Sequence, residues 1–303
     1  MGDMTKRGIW IGGAVAACAV AAIIATVLLW PSREEPVAEA PAAPSQLASQ
    51  SPSPTPSPSP TGPPPNTASY EAGELPRADV FGIHPELPVD DDPAALALGV
   101  TASPADAAGA PVFADPTGEP VAWLGQDQQF SGTHVPVVDM DDNWARVLLV
   151  GRQAVAGEGD PSQLTGWMRV ADLDLTPTDR SVRVDLEART IEISTADGDD
   201  ITNEIIATDF AFGTEATPTP TGRTFIMFED IVDSLAYTRG HPIVYLGVQS
   251  PTLAGFDGQS VAVTAFHYHD ARSGAISNGC IRVAAEAIDA LAELPEGTPV
   301  YIS

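Results

Sequence analysis

A run of prolines alternating with serine and threonine, SPSPTPSPSPTGPPP at 51–65, limits what this chain can fold into. The surrounding residues, 31–77, are rich in Pro, Ala and Ser. They cannot bury enough apolar surface to offset the entropy of ordering them, so an extended, unpacked linker is expected there. At about 3 Å per residue in polyproline II geometry, it could reach on the order of 100 Å. Whether it acts as an inert spacer or as a tether, any packed core must be built from the other residues.

On the N-terminal side, Ile9 to Trp30 is an uncharged apolar run of roughly the length that crosses a bilayer. Lys6 and Arg7 precede it, and the positive-inside bias leaves them in the cytoplasm and everything after Trp30 outside. Residues 1–30 are therefore expected to be a cytoplasmic tip and a retained single-pass anchor. Two alternatives stay open: a cleaved signal peptide, and lipidation at Cys18 within Val15-Ala16-Ala17-Cys18. The formal net charge of −27 excludes nucleic-acid binding, which needs clustered Lys and Arg. It reads as the solvated acidic surface of a secreted domain. Of the two cysteines, Cys18 lies in the apolar run and Cys280 near the other end, so neither a disulfide nor a metal cluster is expected.

Beyond a weakly structured connector at 78–108, short apolar bursts alternate with turn residues through 109–176. They include Val121 to Leu124, Val135 to Val138, Trp144 to Leu149 and Gly166 to Val170. Strands at this spacing predict a small β-barrel, with Trp144 and Trp167 as core residues. The end of the segment, NWARVLL followed by GWMRVADL, resembles bacterial SH3-like domains. In 179–303, Val182, Val184 and Leu186 alternate, Glu187 to Arg189 turns, and Ile191 and Ile193 alternate again, which predicts a hairpin. Strands follow in Ile201–Phe212, Thr224–Phe228, Ile243–Val248, Val261–Phe266 and Val300–Ile302. One helix is expected from the spacing of Val283, Ala287, Ile288, Leu291 and Leu294. The fold class is mainly β with a single helix.

The chemistry concentrates in Phe266 to Val283, FHYHDARSGAISNGCIRV. A thiol with histidines close in sequence is a candidate nucleophile and base, since the thiolate attacks and an imidazole can generate it. Cys280 is the nucleophile on this reading and His267 the base, with His269 as the alternative. The imidazole is expected to raise the thiolate fraction above that of a free thiol. Ser277-Asn278-Gly279 forms a polar turn presenting Cys280, and the Gly279 and Cys280 amides are free to face an oxyanion. Arg282 could hold a substrate carboxylate through its planar fork.

SNGCIRV resembles the signature of the L,D-transpeptidase (YkuD-like) catalytic domain, and GTEATPTPTGRTFI at 213–226 resembles that family's TPTG segment before a strand. The resemblance implies a β-sandwich with one helix over 179–303. It implies a cysteine acyltransferase that uses no cofactor and no metal and forms 3→3 crosslinks between peptidoglycan stem peptides through a thioester. Carbapenem-type β-lactams follow as covalent inhibitors, and the outer face of the cell membrane as the location. Ser277, Asn278, Arg282 and Tyr268 are then placed near substrate. Asn278 stands where many members have His, and Tyr268 where Gly or Ser is common. These departures motivate a second reading, a non-catalytic, membrane-tethered wall-binding protein with a degenerate transpeptidase fold. A Cys280 pKa at or above that of a free thiol, together with absent turnover, would favour it.

Overall fold

The computed structural model describes residues 62–303. The expected anchor, Cys18 and the linker up to residue 61 lie outside these residues. Among the described residues no helix is long and apolar enough to cross a membrane.

Seven strands build the first sheet: β1 Val100–Pro104, β2 Ala110–Phe113, β3 Pro120–Leu124, β4 Val135–Met140, β5 Trp144–Leu149, β6 Leu164–Arg169 and β7 Leu173–Pro177. All pairings are antiparallel, in the order β3-β2-β6-β5-β4-β1-β7. Trp144 is fully buried against Phe113, ring centroids 5.0 Å apart, as expected of a core residue.

The described end of the expected linker, residues 62–77, is packed. From Gly62 onward the chain lies on this sheet: Asn143 Nδ2 donates to Pro63 O at 3.0 Å and Trp144 Nε1 to Pro64 O at 3.1 Å. Arg169 reaches Ala68 O at 2.7 Å. Prolines cannot donate, but their carbonyls accept, and that is how a Pro-rich strap is held. Residues 78–108 are likewise ordered. They bury Ala78, Val80 and Leu87 and contribute the edge-proximal strand β1.

The second sheet has ten strands: β8 Arg180–Asp185, β9 Thr190–Asp197, β10 Asp200–Ala207, β11 Ala211–Gly213, β12 Gly222–Asp230, β13 Ile243–Gln249, β14 Val263–Tyr268, β15 Gly274–Ser277, β16 Ile281–Val283 and β17 Pro299–Ile302. Their order is β10-β9-β8-β17-β12-β13-β14-β16-β11-β15, with β8/β17, β14/β16 and β11/β15 parallel. The helix α1, Ala285–Ala292, buries Ala287, Ile288 and Leu291. It packs on the sheet face formed by Val182, Val184, Ile226, Val244, Leu246 and Phe266.

Strand alternation then fixes the opposite face. Along β12, Ile226 enters the core under α1 while Phe225 and Met227 enter the core of the first sheet. One strand thus serves two cores. Polar links reinforce the junction. Arg223 pairs with Asp90 through two bonds, Nε to Oδ2 at 2.7 Å and NH2 to Oδ1 at 2.8 Å, with both side chains almost fully buried. Thr224 donates to Gln163 at 2.8 Å.

Candidate active site

The strand β14 runs two residues beyond the expected Phe266 end, so His267 lies within the strand, opposite Arg282 of β16. Phe266 points to the helix-side core, whereas Val263, Ala265, His267 and His269 line a cavity of about 610 Å³ on the other face. Cys280, immediately before β16, opens into the same cavity, as do Asn278 and Arg282. The sequence separates the thiol and the two imidazoles; the parallel β14/β16 pairing brings them together.

The turn that presents Cys280 is held from beneath. Gly279 has φ +108°, a conformation in which a Cβ is strained. Thr219 is buried and donates to Gly279 O at 2.7 Å while accepting from Gly213 N at 2.9 Å. Thr217 Oγ1 and the Thr214 amide both donate to Ser277 O, at 3.0 and 3.1 Å. The TPTPTG segment is therefore the floor of the turn. It ends at Gly222, where φ is +104° and a Cβ would lie 2.8 Å from Pro93.

Three of the expected site groups are engaged by the protein itself. Ser277 Oγ donates to Cys280 O at 2.5 Å and accepts from Gly279 N at 3.2 Å, so this side chain shapes the turn and has no hydrogen left for a ligand. The Gly279 amide is consequently engaged and does not point freely at an oxyanion. Tyr268 falls on the helix side by alternation, its ring stacked on His241 at 4.9 Å and its hydroxyl bound to Asp270 at 2.7 Å. It contributes its carbonyl, not its ring.

That carbonyl sets a tautomer. His267 Nδ1 lies 2.9 Å from Tyr268 O, and a carbonyl only accepts, so Nδ1 carries the hydrogen and Nε2 is left with a lone pair. In His269 the Ala271 amide donates to Nδ1 at 2.9 Å, so the neutral ring carries its hydrogen on Nε2. The two histidines therefore present opposite chemistry. Burial pushes His267 down to about 4, with Arg282 and His269 adding to the fall and the Tyr268 carbonyl opposing it. His269 is lowered as well, first by burial and then by Arg282.

Cys280 keeps part of its surface in the cavity, yet desolvation by its surroundings pushes its thiol pKa above the ordinary value. The Ala265 backbone and the Arg282 charge oppose this without reversing it. Both shifts favour the neutral forms, because burial strips hydration from each charged form, and neither favours the raised thiolate fraction expected from the sequence. Arg282 makes no ion pair among the described residues, and its Nε is buried without a hydrogen-bond partner.

Two phenols complete the site. Tyr237 packs against His267 and His269 with centroids at 5.3 and 5.6 Å. Tyr245 stacks on Phe228 at 4.5 Å, and burial, with Asp230, pushes its hydroxyl up to about 12. Neither was marked by any motif. Tyr237 comes from a single 3₁₀ turn, Ala236–Thr238, whose path over the cavity no local pattern encodes. The remaining histidines sit elsewhere: His241 pairs with Asp289 at 2.9 Å, His134 approaches Glu296 at 3.5 Å, and His84 is buried.

Among known families, residues 179–302 match the model of the L,D-transpeptidase catalytic domain, YkuD. The match covers that segment and not the rest of the chain. Cys280, both imidazoles and Arg282 lie within the matched segment, and the first sheet lies outside it. No curated protein matches the sequence in a direct search. Among solved structures, the L,D-transpeptidase from Mycobacterium smegmatis shares 11% identity over 53% of this chain and 90% of its own, with a TM-score of 0.29. An L,D-transpeptidase solved in complex with imipenem shares 13% identity over 53% of this chain and 91% of its own, TM-score 0.32. A fused Zn-dependent amidase/peptidase/peptidoglycan-binding protein from Clostridium acetobutylicum shares 17% identity over 42% of this chain, TM-score 0.29. The chain spans about half, 52%, of that protein's length.

Proposed function

We propose that this protein is a cysteine-dependent L,D-transpeptidase acting on peptidoglycan stem peptides. The observation that carries the reading is a thiol sharing one cavity with an imidazole whose Nε2 is free to accept a proton. Cys280 Sγ attacks the amide carbonyl at the third residue of a tetrapeptide stem as His267 Nε2 takes the thiol proton. Collapse of the tetrahedral adduct breaks the C–N bond. The imidazolium returns its proton to the departing amine of the terminal D-residue, leaving a thioester on Cys280. The side-chain amine of a second stem then attacks the thioester and gives a proton to His267. The thiol leaves, forming the 3→3 crosslink. Because the thiol is neutral at rest, proton transfer accompanies attack, the general-base arrangement. Arg282 has no anionic partner among the described residues and supplies a fork for a substrate carboxylate. The Cys280 amide remains as an oxyanion donor. On this reading the Ile9–Trp30 run anchors the chain with the catalytic domain on the extracytoplasmic side.

The test is intact mass spectrometry after exposure to a carbapenem. One covalent equivalent on the native chain and none on Cys280→Ala is the expected outcome. No adduct on folded protein, or one that persists in Cys280→Ala, overturns the reading. A second reading, a non-catalytic wall-binding protein, is favoured by the raised thiol pKa and the engaged Gly279 amide. Turnover of a disaccharide-tetrapeptide separates the two.

A further inference from the structure

One wall of the cavity is a loop, 251–262, that carries Leu253, Phe256, Asp257 and Gln259 toward the thiol side of the site. Its own ties are Phe256 N to Val261 O at 3.0 Å, Gln259 N to Phe256 O at 2.9 Å and, at its base, Ser250 N to Ala262 O at 2.8 Å. Ala254 and residues 256–260 are exposed, and Phe256 is 52% exposed. What reaches it from below is Arg152, which belongs to the first sheet's turn after β5 and lies outside the matched transpeptidase segment. Arg152 is 2% exposed. Its guanidinium donates to three carbonyls of the loop: Ala254 O at 2.7 Å, Ser260 O at 2.8 Å and Leu253 O at 3.4 Å. Its own backbone is pinned, accepting from His84 N at 2.9 Å and donating to Gly82 O at 3.1 Å.

Burying a cation without a carboxylate costs several kcal/mol unless its donors are filled. Here no carboxylate pairs with it among the described residues, and burial pulls its pKa down. A planar fork of fixed N–H donors can bind carbonyls on both legs of a loop at once; an ammonium can do so only by reorienting. Leu253 and Ala254 lie on the outgoing leg and Ser260 on the returning one. The bonds therefore clamp the two legs at a fixed separation.

We propose that Arg152 is a positioning residue for the active-site cavity, fixing the 251–262 wall from the first sheet and so setting how closely that wall approaches the bound stem peptide. With Val80 and Phe130, which also line the cavity, it makes the first sheet part of the site. The consequence for turnover rests on the transpeptidase reading; the consequence for the loop does not.

Arg152→Met keeps the stem and removes the donors, and Arg152→Lys keeps charge with a different donor geometry. Full-length variants are to be compared by hydrogen exchange, by Cys280 alkylation with iodoacetamide, and by turnover of a disaccharide-tetrapeptide. In Arg152→Met, exchange at 253–261 is expected to rise about tenfold with both sheets unchanged, the signature of local and not global opening. KM is expected to rise about fivefold with kcat within about twofold, because a wall that only binds substrate affects ground state and transition state alike. The small reagent, which needs no wall, is expected to react at the native rate, and Arg152→Lys to fall between. Should Arg152→Met fail to fold, Arg152→Lys carries the same comparison. Unchanged loop exchange, or exchange rising uniformly across both sheets, overturns the proposal. If the native chain turns over no stem peptide, the functional reading fails while the exchange result still decides the role of Arg152.

Discussion

A thiol that holds its proton more tightly than a free cysteine keeps no store of thiolate, and His267, pushed down to about 4, cannot hold that proton for it. Iodoacetamide alkylation of Cys280 is therefore expected to climb about tenfold per pH unit from pH 6 to above 8, following the thiolate fraction. A plateau beginning below pH 7 would show a resting ion pair and contradict the neutral dyad. The same histidine shapes acid stability. Its folded pKa is depressed from 6.5 to about 4, so the unfolded chain takes up the proton first as pH falls. Full stability is present above pH 6.5 and is lost progressively down to about pH 4, by on the order of 3 kcal/mol from this group. Denaturant titrations of native protein and His267→Gln across that window are expected to show a shallower pH slope in the variant. At this scale the thiol, both imidazoles and Arg282 were legible, because reactive side chains announce themselves by type. The spent Gly279 amide and the two phenols were not, since they depend on which neighbours a turn acquires after folding.

Among the elements, the TPTPTG segment works on the nucleophile turn through one hydroxyl. Thr219→Val removes the donor to Gly279 O and the acceptor for Gly213 N in a buried setting. A loss of about 1–3 kcal/mol is expected, read as a lower midpoint in urea at unchanged slope. Displacement of the turn is expected to lower kcat more than it raises KM, whereas equal values to native would detach the loop from the turn. The alternating β8/β9 hairpin and the apolar spacing of α1 were readable because each writes its period into a continuous stretch. The strands β11, β15 and β16 are three or four residues long, too short to display a period, and they exist through their parallel and antiparallel partners. The Val261–Phe266 expectation slipped for a related reason: Val261 is apolar because it lines the cavity wall, not because it pairs in β14.

For the molecule as a whole, the buried Asp90–Arg223 pair makes the connector and the second sheet depend on each other. Arg223→Met would leave a carboxylate buried without its partner, at about 3–5 kcal/mol, expected as a single lowered thermal transition. Two separate transitions would mean that the sheets fold independently. A fragment limited to 179–303 would expose Phe225 and Met227, now in the first sheet's core, and is expected to be less soluble than one beginning at residue 62. The packing of residues 62–108 escaped the sequence because composition reports what a segment can bury of itself, not which carbonyls a neighbour will use. The position of β17 has a further effect. It fills the middle of the ten-strand sheet, between β8 at one end of the matched segment and β12 within it. Synthesis proceeds from the other terminus, so this rung arrives after Cys280 has been made. A half-made chain on the ribosome thus lacks the rung that joins β8 to β12, and the sheet closes only once translation has supplied Pro299–Ile302.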